Sequence, residues 1–298
     1  MHARAATLAL MLSRFALCFV IATAAVQAAV PAAKVSKPLK PGEWSQITLK
    51  ESPQPSEPEQ LKFRMHAAEN PGAYDVAKET FNILVPKGYR KEVPHGLFVW
   101  VSPGNTGSIP KEWEAVLAEK KLIFIGANNS GNPRDVFDRM RMAVDANHNL
   151  RNMFNIDDRR VYVSGFSGGA RVASMLGVCY ADMFTGAVCF MGVNFYEPVL
   201  GDDKMMYQAR YIPNEEILDI AKKENRFVFI TGEKDFNLAD TKAVHAAALK
   251  NGFQAVDFVN IPKQGHQPPT AEWLKKSLEY LDQGKAEAKA GGLPVKKP

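Results

Sequence analysis

The sequence predicts an α/β protein with a mostly parallel central sheet and helices on both faces. Three observations carry this. Short apolar runs rich in Val, Ile and Phe recur along the chain, and helical periodicities fill most of the gaps between them. The composition, 46% apolar and 23% charged over 298 residues, is that of a globular chain long enough to bury a substantial core.

The runs that read as buried strands cover residues 81–85, 96–101, 121–126, 160–164, 186–191, 226–231 and 255–261. A further edge strand is expected near 44–49. Between the runs, Trp113, Val116 and Leu117 recur at helical spacing, as do Met140, Ala143, Ala146 and Leu150. Later helices are expected through 217–221, 241–249 and 273–281. Residues 51–60 (ESPQPSEPEQ) read as a polar loop broken by prolines. No internal repeat and no later membrane span is evident.

The ends have their own character. Arg4 and Arg14, the apolar run 15–25 (FALCFVIATAA) and the small residues around Val26-Gln27-Ala28 have the layout of a secretory signal peptide over 1–28. The run is shorter than the roughly 20 residues that span a bilayer, and bulky Leu17 before Cys18 argues against lipidation. Export to the periplasm or the medium is expected, with no membrane attachment after cleavage. Residues 29–77 read as a linker and N-terminal extension, 78–283 as one catalytic domain, and 284–298 as a disordered basic tail. The formal charge of +5 resides at the two ends, in Arg4 and Arg14 and in the lysines after Gly284. The body is left neutral, with no basic groove for nucleic acid. Cys179 and Cys189 either pair in an oxidising compartment or serve as small buried apolar residues.

In a parallel sheet, ligands bind beyond the C-terminal strand ends. The strongest junction there is 160–174, where a strand runs into Gly165-Phe166-Ser167-Gly168-Gly169 and a helix follows. This G-x-S-x-G in a strand–turn–helix setting places a nucleophilic serine, Ser167, on a tight elbow. Gly165 and Gly169 let strand and helix approach each other, and Gly168 keeps the hydroxyl open.

A serine hydroxyl needs a base. His66 lies in the polar N-terminal part, His95 precedes a strand, and His148 and His245 fall within helices. His266 follows the last strand in the loop 263–269, the strand end that faces Ser167, and is the candidate base. The orienting carboxylate is expected in the loop 232–237, where Asp235 is favoured over Glu233; the chain order nucleophile, acid, histidine fits both. For the oxyanion, one donor is the N–H of Gly168 and the second comes from the loop 102–107, with Gly104 and Asn105 as candidates. The loop 128–132 (NNSGN) also lies at a C-terminal strand end, where it either shapes the site or only turns the chain.

The runs GFSGGA at 165–170, ADMFTGAVCFMG at 181–192 and GEKDFN at 232–237, with Gly265-His266, resemble the secreted poly(3-hydroxybutyrate) depolymerase and feruloyl esterase-like branch of the α/β-hydrolases. The resemblance spans about residues 78 to 283. It implies the α/β-hydrolase fold and ester hydrolysis through an acyl-enzyme, with Ser167, Asp235 and His266 in the triad roles. The sequence departs from the family at Ser102-Pro103, where many relatives carry His-Gly.

The segment 192–213 is too short for a large lid. Phe195, Tyr196, Met205, Met206, Tyr207 and Tyr211 either form an apolar acyl pocket or pack the loop onto the body, and Phe166 and Phe236 flank catalytic positions. The expected substrate is a small-molecule or polymeric ester. No metal-ligand spacing is present and the triad needs no cofactor. A peptidase or acyltransferase with the same triad is the rival reading, and a non-catalytic binding protein of this fold is a third.

Overall fold

A computed structural model describes residues 38–285. The signal peptide expected at 1–28 and all but the first two residues of the tail expected at 284–298 lie outside the described residues. Eight strands form the main sheet: β1 (Trp44–Thr48), β2 (Thr80–Leu84), β3 (His95–Val101), β4 (Leu122–Ala127), β5 (Ile156–Phe166), β6 (Gly186–Phe190), β9 (Arg226–Gly232) and β10 (Val256–Ile261). A separate two-stranded ribbon pairs β7 (Val199–Leu200) with β8 (Met206–Tyr207). The order across the sheet is β1-β2-β4-β3-β5-β6-β9-β10. β2 runs antiparallel to both its neighbours, and β4, β3, β5, β6, β9 and β10 are mutually parallel.

Every residue of β3, β4 and β6 is buried, as a sheet covered on both faces requires. Successive side chains alternate between two cores. Leu97, Val99, Ile123, Ile125, Val161, Val163, Ala187 and Phe227 face one core, and Phe98, Trp100, Phe124, Tyr162, Phe190 and Val228 the other. The first core is closed by α1 (Pro58–Met65), α3 (Val136–Met153), α4 (Gly168–Cys179), α5 (Glu215–Lys223) and α6 (Leu238–Lys250). The second is closed by Trp113, Val116 and Leu117 of α2 (Trp113–Glu119) and Leu274, Leu278 and Leu281 of α7 (Ala271–Asp282).

Three elements differ from the sequence reading. β5 is 11 residues long and begins before the apolar run, because Ile156 pairs with His95 across a register shift while Asp157 to Arg160 carry the strand onward. Helix α1 lies within and beyond the segment read as a polar loop. Pro58 starts it at a position whose N–H has no helical partner, so the proline that suggested a break begins the helix. The ribbon β7–β8 folds the 192–213 segment back on itself.

The chain between β1 and β2 lies across α3. Leu49, Leu61, Met65 and Val76 are buried in the first core. Arg141 of α3, itself buried, donates to the carbonyls of Ser56 (3.0 Å) and Gly72 (2.8 Å). Asp145 accepts from Ser52 Oγ (3.0 Å) and Tyr74 Oη (2.7 Å). Arg64 of α1 forms a bidentate pair with Asp182, at 2.6 and 2.8 Å.

Candidate active site

Ser167 stands between the end of β5 and the first turn of α4, with φ 53° and ψ −122°. A positive φ is strained for a residue with a side chain and persists only where its surroundings enforce it. Here the enforcement is close packing. A Cβ on Gly165 would lie 2.4 Å from the Gly169 carbonyl carbon, and one on Gly169 would lie 2.0 Å from the Val101 carbonyl oxygen. Only glycine at both positions lets β5, α4 and the end of β3 meet. Ser167 N–H donates to the Phe190 carbonyl (2.8 Å), which fixes the elbow to β6.

His266 lies in the loop between β10 and α7, with Nε2 2.9 Å from Ser167 Oγ and Nδ1 3.0 Å from Asp235 Oδ2. Asp235 follows β9 and its side chain is fully buried. Its Oδ1 accepts from the Asn237 N–H (2.7 Å), so both carboxylate oxygens have partners. An ionised carboxylate only accepts, which puts the imidazole proton on Nδ1 and leaves Nε2 to receive the serine proton. The acid and histidine loops are joined directly, Lys234 N–H to the Gln264 carbonyl at 2.8 Å. Phe166 and Phe236 flank the imidazole at centroid distances of 5.0 and 4.3 Å, and Phe236 is 74% exposed.

Of the other candidates, Glu233 is turned to the Lys263 N–H (2.7 Å) rather than to His266. His95 contacts the Val93 carbonyl, His148 contacts Glu51, and His245 stacks on Phe258. Gly168 is the first residue of α4. Gly104 N–H donates to Ser102 Oγ (3.1 Å), and the Asn105 carbonyl accepts from Asn129 N–H (2.9 Å).

The 192–213 segment divides. Tyr196 packs among Phe195, Tyr211 and Phe253, and its hydroxyl is buried without a partner. Met205 and Met206 are exposed. Phe195 and Phe236 do line a cavity of about 550 Å³, but its walls also carry Arg171, Asn194, Gln208 and Arg210. The space beside the site is therefore polar rather than apolar.

Sequence reasoning passed over Arg171 and Asn237. Arg171 Nη2 donates to Asn237 Oδ1 (2.8 Å) and Asp240 Oδ2 (2.9 Å), and Nη1 to the Val193 carbonyl (2.7 Å). Asn237 Nδ2 donates to the Met191 carbonyl (2.9 Å). Together they tie the acid loop to α4 and to the end of β6. The available signal was a lone arginine in an otherwise small and apolar helix, four residues past the serine. Among the described residues no group of His, Cys, Asp and Glu could hold a metal ion, and no helix is long and apolar enough to cross a membrane.

No protein-family model matches the sequence, and no curated protein is significantly similar to it. Solved structures are similar in three dimensions. An arylesterase shares 15% identity over 85% of this chain and 88% of its own, with a TM-score of 0.53. A feruloyl esterase module from Clostridium thermocellum shares 13% identity over 71% and 86%, with a TM-score of 0.53. An S-formylglutathione hydrolase from Staphylococcus aureus shares 12% over 68% and 92%, with a TM-score of 0.50. At such identities the likeness speaks for architecture. With the mostly parallel eight-stranded sheet and its helices on both faces, it makes this chain an α/β-hydrolase fold.

Proposed function

We propose that this protein is an exported serine hydrolase that cleaves carboxylic esters through an acyl-enzyme on Ser167. The observation that carries the reading is the continuous line from Ser167 Oγ through His266 to Asp235, at 2.9 and 3.0 Å, on a strained elbow. His266 Nε2 takes the hydroxyl proton as Oγ attacks the ester carbonyl, and the tetrahedral oxyanion forms beside the Gly168 N–H. His266 then returns the proton to the departing alcohol. In the second half, His266 draws a proton from water, hydroxide attacks the acyl carbon, and Ser167 leaves with the proton restored. Asp235, buried and held by Asn237, keeps the imidazole in the working tautomer and balances its positive charge when protonated.

The residue runs around Ser167, Asp235 and His266 support placement in the depolymerase and feruloyl esterase-like branch, and the first 28 residues support export. The test is covalent. A fluorophosphonate probe should label Ser167 of the full chain, as located by mass spectrometry, and Ser167→Ala should remove both label and hydrolysis of a short-chain aryl ester. Labelled enzyme that turns over peptide amides faster than esters would replace the esterase reading with a peptidase.

A further inference from the structure

We infer that the side-chain carboxamide of Asn132 is the second oxyanion donor, acting beside the Gly168 N–H; the inference rests on the ester-hydrolase reading of Ser167. The two residues after Ser102 in the loop that leaves β3 supply no free amide. Pro103 has no N–H. The N–H of Gly104, the next residue, is bonded to Ser102 Oγ at 3.1 Å. The loop is also held in place, since buried Arg139 donates through Nη2 to the Ser102 carbonyl (3.0 Å).

The loop after β4 lies over the same elbow. Asn132 N–H donates to the Pro103 carbonyl (3.0 Å) and Asn129 N–H to the Asn105 carbonyl (2.9 Å), so the two loops are stitched together. This brings the Asn132 carboxamide onto Gly168. A Cβ at position 168 would meet Asn132 Oδ1 at 2.0 Å, Cγ at 2.7 Å and Nδ2 at 2.9 Å. The carboxamide thus occupies the space a side chain at 168 would fill, against the residue whose own N–H is the first donor.

Among the described residues, the Asn132 side chain has no hydrogen-bond partner, and the residue is exposed. A half-turn about its last torsion exchanges Oδ1 for the Nδ2 hydrogens with little change of shape. The –NH₂ then faces the oxygen that gains charge when Ser167 attacks. A neutral amide donates without losing a proton, so its contribution appears in the transition state and hardly in substrate binding.

The experiment compares the full-length wild type with Asn132→Ala and with the isosteric Asn132→Asp. Two rates are read: phosphonylation of Ser167 by a fluorophosphonate, and kcat and KM for a short-chain aryl ester. The expected result is a kcat and a labelling rate lowered roughly 100-fold in Asn132→Ala, with KM changed less than about threefold. Asn132→Asp should be slower still, because its carboxylate repels the oxyanion. Thermal midpoints of both variants should match the wild type, since the side chain is exposed. If the wild type labels at Ser167 and Asn132→Ala keeps kcat within about threefold, the inference is overturned and the donor passes to the backbone N–H of Asn105. A wild type that does not label at Ser167 removes the ester-hydrolase reading, and the inference with it.

Discussion

Ser167 shows what the site costs at the scale of a residue. Its φ of 53° suits glycine, and the geometry that presents Oγ to His266 is held against that preference by the packing of Gly165 and Gly169. Relief of such strain is worth roughly 1–3 kcal/mol, and the extra freedom of an unfolded glycine returns roughly 0.5–1 of it. Ser167→Gly should therefore be about 1 kcal/mol more stable than Ser167→Ala in urea unfolding. Equal stabilities would mean that the elbow is not strained. The sequence already singled out Ser167, Asp235 and His266, the three side chains that the structure brings within hydrogen-bonding distance. Each follows a strand, and the strands were legible. Arg171 and Asn237 were not, because their contacts join segments whose neighbourhood depends on how the strands are ordered.

At the scale of elements, α3 and the chain that crosses it form a polar seam beneath an otherwise apolar layer. Asp145 sits in that seam, and burial pushes its carboxyl up to about 6 from an ordinary 3.8. A raised carboxyl is happiest protonated. Asp145 therefore imposes no penalty below pH 3.8, a growing one as pH rises toward 6, and a full one of about 3 kcal/mol above that. Asp145→Asn should thus gain on the wild type as pH rises. Its stability relative to wild type should be clearly higher at pH 7.5 than at pH 4.5, by denaturant unfolding at both. A difference independent of pH would show that Asp145 is ionised without penalty. The same seam explains why α1 was hard to foresee: its prolines and charges mark a surface loop, and only Leu61 and Met65, pressed into the core, reveal the helix. The front half of β5 was hidden for a similar reason, since charged residues there flank a register shift rather than an apolar face.

Over the whole molecule, the layered architecture follows from strands that are apolar on both sides, which is why the fold class could be read directly. Strand order and the reversed direction of β2 could not, because they depend on which way each connection crosses. The same layering settles the cysteines. Cys179 and Cys189 are free thiols buried in the first core, and burial pushes both well above the usual thiol range. Reductant should leave the thermal midpoint unchanged, and a thiol reagent should modify Cys179 and Cys189 only after unfolding, as mapped by mass spectrometry. A midpoint that falls with reductant would reveal a disulfide.

Arg141 and Asp145 share one further property: the groups that hydrogen-bond to them, at Ser52, Ser56, Gly72 and Tyr74, precede β2, although Arg141 also pairs with Asp138 of its own helix at 3.9 Å. In a chimaera spliced from two proteins of this fold, a crossover at β2 would pair one parent's buried charges with the other parent's carbonyls and hydroxyls. A crossover ahead of Trp44 keeps each charge with its own solvating groups. The block that recombines intact begins at the antiparallel edge of the sheet, well before the first parallel strand.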